Sequence, residues 1–318
     1  METTRPLVSI GMPVYNGERY LRAALDSLLT QTFKDFELII ADNASTDQTA
    51  EICQEYAARD RRIQYHRNER NLGATWNYNH LVELARGKYF KWAAHDDICE
   101  PEFLLKCVQV LEQDPSVVLC HPWTKTINEQ GAVTGQYNLD GKLQTSSNRP
   151  SVRFRSLHRA YMCYPIFGLI RTRALKLTPL FGSFGHADGV LLARLALMGR
   201  FYEIPEHLFL NRHHAQQSTR IFSKKNGKCD LHGFMAWWDP NKTGQIAFPT
   251  WELFSEYWQA IAQTPLNFYE QLRCYITMLS WLRSYWMDIV QEALMGFYQF
   301  FRLHFHNPNK SRRLRVEV

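Results

Sequence analysis

The 318-residue sequence predicts an α/β fold, a mostly parallel sheet flanked by helices, with a helical C-terminal extension. Three observations predict it. From residue 7 to about 121 a short apolar run, a turn cluster and a segment of helical apolar spacing recur in that order, the cadence of strands joined by helical crossovers. Beyond Phe222 the spacing is helical and dense in tryptophan, from Trp237 to Trp286. The composition, 45% apolar and 21% charged, excludes collagen-like, disordered and repeat-solenoid architectures.

Strands are expected at Leu7–Met12, Phe36–Ala41, Ile63–Arg67, Tyr89–Ala93 and Val117–Cys120. After the first, Leu21, Leu25, Leu28 and Leu29 form a single apolar helix stripe. Ser45 with Gln48 reads as a capping box opening the next helix, whose buried face is Cys53, Tyr56 and Ala57. Pro101 suits the first turn of a third helix, with Phe103, Leu104, Cys107 and Leu111 inward. Past residue 121, Asn128–Gly131 is a hairpin turn and Gln136–Pro150 a polar, mobile loop. An apolar run Pro165–Ile170, a helix Gly189–Met198 and short strands near Phe201 and at Leu208–Asn211 follow. The expected division is 1–222, with halves at 7–121 and 122–222, and then 223–318, ending in a basic, disordered tail at Lys310–Arg315.

A net charge of +6 spread over 37.4 kDa leaves no footprint for nucleic acid. Seven cysteines show neither C-x-x-C pairs nor zinc spacing, so reduced thiols and a cytoplasmic protein are expected. Leu7–Pro13 is too short for a signal segment, and Tyr275–Phe301 is interrupted by Arg283, Asp288 and Glu292, so no membrane span is expected. The aromatic C-terminal helices either pack on the first domain or, with the basic tail, rest on the inner face of a membrane.

In open parallel sheets ligands bind beyond the carboxyl ends of the strands. Four such exits are polar here: Pro13 to Glu18 with Tyr15 and Asn16, Asp42 to Asp47, Asn68 to Gly73 with Asn71, and His95-Asp96-Asp97. Amides, an aromatic face and carboxylates along one edge suit a nucleotide whose phosphates are held through a divalent cation. Each also has a structural reading: Asn16-Gly-Glu18 as a cap, Asp47 as a helix-dipole partner, Asn71 and Gly73 as a turn. The neighbours Asp96 and Asp97 repel unless a cation, donors or solvent relieve them, so a metal role is favoured there.

Taken in order, Pro13-x-Tyr-Asn, Asp42-x-x-Ser-x-Asp47, Asn71-x-Gly73 with Asn79, and His95-Asp-Asp97 resemble the inverting family 2 glycosyltransferases of the GT-A fold. The likeness is ordered through residues 7–121 and looser to about residue 222. It implies a Rossmann-like sheet, Pro13, Tyr15 and Asp42 around the base of a nucleotide-sugar donor, and Asp96 at the ribose. Asp97 would hold Mn²⁺ or Mg²⁺ against the diphosphate, with Asn16, Glu18, Asn71 and Gly73 also on the donor side. Asp188, in Gly185-His-Ala-Asp188, resembles the downstream acid that deprotonates the acceptor; alone it also reads as an N-cap. His213 is the candidate second metal ligand, with His214 the alternative, and a UDP-sugar donor with a glycan or lipid-linked acceptor is implied. Acceptor contacts are expected at Tyr164–Gly168 and in the 136–150 loop.

Ala94 and Ala187 stand where relatives often carry acids, and Ile221 replaces the tryptophan of the Gln-x-x-Arg-Trp signature in Gln217-Ser-Thr-Arg220. Single transfer is expected rather than polymerisation. A sugar-nucleotide nucleotidyltransferase ranks second, since Pro13-Val-Tyr-Asn16 is no glycine-rich phosphate loop. An inactive sugar-binding module of the same fold is the non-enzymatic alternative.

Overall fold

Strands β1 (Val8–Val14), β2 (Phe36–Asp42), β3 (Ile63–Arg67) and β4 (Tyr89–Trp92) run parallel in the order β3-β2-β1-β4, with Val14 opposite Asp42. Their carboxyl ends therefore share one edge. The computed structural model describes residues 5–138, 143–157, 163–221, 231–243 and 248–305. Lys310–Arg315, Cys229 and residues 139–142 of the polar loop lie outside them.

Alternation along the strands sends side chains into two cores. Phe36, Leu38 and Ile40 join Leu21 and Leu25 of α1 (Glu18–Leu29), and Ile52 and Cys53 of α2 (Thr49–Arg59), on one face. Ile39 and Ala41 face Leu81 and Val82 of α3 (Ala74–Leu84) on the other. No capping box opens α2: the Ser45 hydroxyl instead accepts the Asn16 N–H at 2.9 Å, and Asp47 Oδ1 accepts the Thr49 N–H at 3.0 Å.

The second half is mixed. β5 (Ile98–Cys99) and α4 (Phe103–Gln113) lead to β6 (Val117–Ile127), whose hairpin partner is β7 (Val133–Tyr137). The expected turn is there, with Asn128 Oδ1 accepting the Gln130 and Ala132 N–H groups. After α5 (Pro150–Leu157), β8 (Leu169–Arg171) pairs antiparallel with β4 and β6; α6 (Thr172–Leu175) and α7 (Ala187–Met198) follow. The two short strands expected near 201 and 208 are one 13-residue strand, β9 (Arg200–Arg212), parallel to β6. Pro205 and Glu206 had broken the apolar run; the register steps from Pro122–Ile204 to Trp123–His207 there, a bulge that accommodates a proline without a ladder bond.

Past α8 (Ser218–Ile221), helices α9 (Leu231–Trp238), α10 (Pro249–Gln263) and α11 (Phe268–Phe305) are present as expected. They pack on the sheet domain: Tyr257, Ala260, Ile261, Cys274, Met278 and Trp281 share one core with Val190, Leu191 and Leu195 of α7 and Phe154 of α5. Polar ties reinforce the contact. Glu270 Oε2 accepts the Ser151 N–H at 2.8 Å, and Arg194 reaches Glu256 at 3.0 Å and Gln263 at 2.8 Å.

Candidate active site

At the β1 exit Asn16 adopts a left-handed φ of 51°, a conformation asparagine tolerates better than most residues. Its Oδ1 accepts the Thr46 N–H at 2.8 Å, Glu18 Oε2 accepts the Gln48 N–H at 2.9 Å, and Asp47 Oδ2 accepts the Glu18 N–H at 3.1 Å. These bonds lace the β1 and β2 exits together. Tyr15 stands 43% exposed above them. Asp42 is fully buried and accepts the Ser45 N–H at 2.8 Å and the Tyr65 hydroxyl at 2.8 Å. Asn71 Oδ1 accepts the Gly73 N–H at 2.9 Å and the Asn43 amide at 2.8 Å. Gly73 has φ 88° and a Cβ there would lie 2.5 Å from the Trp238 carbonyl, so only glycine fits. Asn79 clamps Phe181, its amide to the carbonyl and its Oδ1 to the N–H.

The β4 exit carries the buried acids. Asp96 Oδ2 lies 2.8 Å from His214 Nε2. Burial acts to raise this carboxyl, but the His214 hydrogen bond and the charges of His95 and His214 outweigh it and hold the carboxyl below its usual range. Asp97 moves the other way: burial, then the Asp96 charge, push it well above the carboxylate range despite the Arg212 N–H, the Asn211 amide and Lys91. Its hydrogen-bond donors, Asn211 Nδ2 at 3.1 Å and the Arg212 backbone at 2.8 Å, are neutral. The Arg212 guanidinium is committed to the carbonyls of Asp96, Asn128 and Glu129. A buried carboxylate left without a cation in contact is a place where a divalent ion would relieve the pair.

Asp188 lies in the first turn of α7, not ahead of it, and its Oδ1 accepts the Gly189 N–H at 2.8 Å. His186, at φ 66°, holds its Nδ1 3.8 Å from Asp188 Oδ1. A Cβ at residue 189 would fall 2.1 Å from the His186 ring, so Gly189 lets the imidazole fold over the helix start. Cys163 lies near Asp188; burial and then that carboxylate push the thiol well above its usual range. Among the described residues, Cys163, His186 and Asp188 are the one trio whose metal-capable atoms all lie within 4.8 Å of each other. Both acidic regions act on Tyr78, whose phenol is raised by burial and then by the charges of Asp96, Asp97 and Asp188.

The glycosyl transferase family 2 model matches residues 9–177, more than half of the chain. The chain belongs to glycosyl transferase family 2. Over 138 residues it is 38% identical to the uncharacterized glycosyltransferase MJ1057 of Methanocaldococcus jannaschii, covering 43% of this chain and 48% of that protein. Over 253 residues it is 28% identical to the glycosyltransferase GlyG of Streptococcus pneumoniae, covering 71% and 82%. The chain spans less than half the length of the first relatives it matches. Among solved structures, residues 1–349 of S. aureus TarS in complex with UDP-GlcNAc give a TM-score of 0.57 at 16% identity, over 91% of this chain and 89% of that one. The mannosyltransferase PcManGT of Pyrobaculum calidifontis, in complex with GDP-Man and Mn²⁺, gives 0.51 at 16%, over 95% and 82%. The fold is GT-A.

Within this family 2 chain the four strand exits lie along one sheet edge, and of the two neighbouring histidines it is His214 that pairs with an acid. The imidazole that meets the acid pair is His214, on Asp96; no hydrogen bond or ion pair joins the His213 ring to Asp97 among the described residues. Sequence reading also passed over Asn211 and Arg212 as hydrogen-bond donors to Asp97, Tyr78 in the field of all three acids, and Cys163 near Asp188. Lys91, fully buried on β4 with Nζ donating to the Trp92 and Phe167 carbonyls, carried a signal: a charge inside an apolar strand.

Proposed function

We propose that the protein moves a sugar, with inversion, from a nucleotide-diphospho-sugar to an acceptor hydroxyl in polysaccharide or glycoconjugate synthesis. The buried acid pair Asp96 and Asp97, at the sheet edge where the strand exits meet, carries this reading. Asp188, from a distant part of the chain, acts electrostatically on the same Tyr78 phenol as that pair. The nucleotide sugars bound by TarS and PcManGT support a donor of that class, with a UDP-sugar the first candidate.

In this reading Tyr15 presents its exposed ring to the base and Asp96 hydrogen-bonds the ribose. Pro13 and Asp42 shape the wall behind them; Asn16, Glu18, Asn71 and Gly73 hold the loops in place. Asp97 would hold Mn²⁺ or Mg²⁺, a hard ion that matches carboxylate oxygens and substrate phosphates. A bound cation offsets the charge that grows on the departing diphosphate. Asp188 takes the proton of the acceptor hydroxyl as its oxygen bonds the anomeric carbon and the bond to the phosphate oxygen breaks. Ile221 is 57% exposed where processive enzymes carry tryptophan, in keeping with a single transfer.

No helix among the described residues is long and apolar enough to cross a membrane. The exposed apolar side chains of α11, among them Leu279, Leu294 and Phe297, suit contact with the cytoplasmic face of a membrane carrying a lipid-linked acceptor. Asp188→Asn tests the chemistry. Transfer should fall about 10²- to 10⁴-fold while donor binding is kept; wild-type turnover in this variant would refute the assignment.

A further inference from the structure

A cleft of about 770 Å³ opens between α5, the start of α7, α10 and α11. Neither the strand-exit residues nor Asp188 line it, but His186 does, and the His186 imidazole stands 3.8 Å from the proposed base, Asp188. The Tyr257 phenol, also in the wall, lies within electrostatic range of Asp188.

The charge of that wall is one-sided. Arg149, Arg155 and Arg273 line it, and no carboxylate does. Glu270 sits behind, accepting from Arg273 at 3.0 Å and Arg149 at 3.4 Å, which fixes two guanidinium groups and offsets one of three charges. Arg155 is exposed and pairs with no described acid. The neighbouring acids are engaged elsewhere, Glu256 with Arg194, Glu252 with Lys242 and Glu292 with Thr250. Tyr285, 43% exposed on the same wall, is backed by Trp281, on which its ring stacks at 4.5 Å, and adds an aromatic surface to the cleft.

We propose that this cleft is the acceptor site and that it selects an acceptor carrying an anionic group, phosphate or carboxylate. Forked guanidinium donors without a lining acid favour such groups over neutral hydroxyls. The proposal rests on Asp188 being the base, and it deepens that reading by giving the C-terminal helices a share in substrate choice.

Three saccharides of equal length serve as probes in calorimetry at fixed ionic strength: maltotetraose, tetragalacturonate and maltotetraose 1-phosphate. At least one acidic probe should bind about tenfold more tightly than the neutral one, and the arm that does so names the anion. Arg155→Glu should remove the preference and Arg155→Lys keep most of it. Equal affinities, no binding in any arm, or a preference that survives Arg155→Glu overturns the proposal. Transfer by wild type and Asp188→Asn, measured on the same preparation, reads the base assignment separately, so the two failures are distinguishable.

Discussion

His121, buried on β6, illustrates how single side chains tie this fold to pH. Burial holds its imidazole down to about 4, against a weak pull from the Pro122 carbonyl, so it stays neutral when folded while the unfolded chain protonates near 6.5. Stability from this group is complete above about pH 6.5 and declines as pH falls towards 4, by about 2 kcal/mol at pH 5. Urea unfolding of His121→Gln should show a shallower loss between pH 7.5 and 5 than the wild type; parallel slopes would contradict it. At this scale the acid pair was legible, because two carboxylates after an apolar strand are hard to explain structurally. That Asp96 pairs with His214 and not with His213 was not: between Ile204 and Phe209 the pairing with β6 takes up three extra residues of β9, and an odd step in register exchanges the faces of a strand.

Elements were legible in proportion to their apolar pattern. β1 to β4 and the Leu21 stripe carried full periodic signals, and all are present within a residue or two. β7 is polar and largely exposed, so periodicity could not find it, and β9 was split by Pro205. Among the polar ties that reinforce the docking of α11 on α5 is Glu270, which is 7% exposed. Burial pushes its carboxyl up, but bonds from Ser151, Arg273 and Arg149 outweigh it and hold it at about 2. Being depressed, it stabilises fully above about pH 4.5 and loses that contribution as pH falls towards 2. Glu270→Ala should cost about 1–3 kcal/mol at pH 7, read by urea unfolding, with faster amide exchange at the start of α11. Unchanged stability would show the tie to be dispensable.

For the whole molecule, the family and the sheet domain could be read from ordered motifs, whereas the union of both regions in one core could not, since it depends on which helix face meets which. That union alters how membrane contact is tested. Removing everything after residue 222 would uncover Leu191 and Leu195, so exposed side chains are the better target. Leu279→Glu, Val290→Glu and Leu294→Glu together, at positions 61%, 46% and 65% exposed, should leave folding intact and abolish flotation with anionic liposomes. A wild-type protein that stays in the aqueous fraction would remove the membrane role.

Calorimetry of a UDP-sugar and a GDP-sugar with and without Mn²⁺, on wild type and Asp97→Asn, bears directly on the proposed donor site. Binding of at least one donor should depend on the ion in the wild type and lose that dependence in the variant. Donor binding indifferent to metal, or identical in the two proteins, would contradict the claim that the acids at the β4 exit hold a cation against a diphosphate.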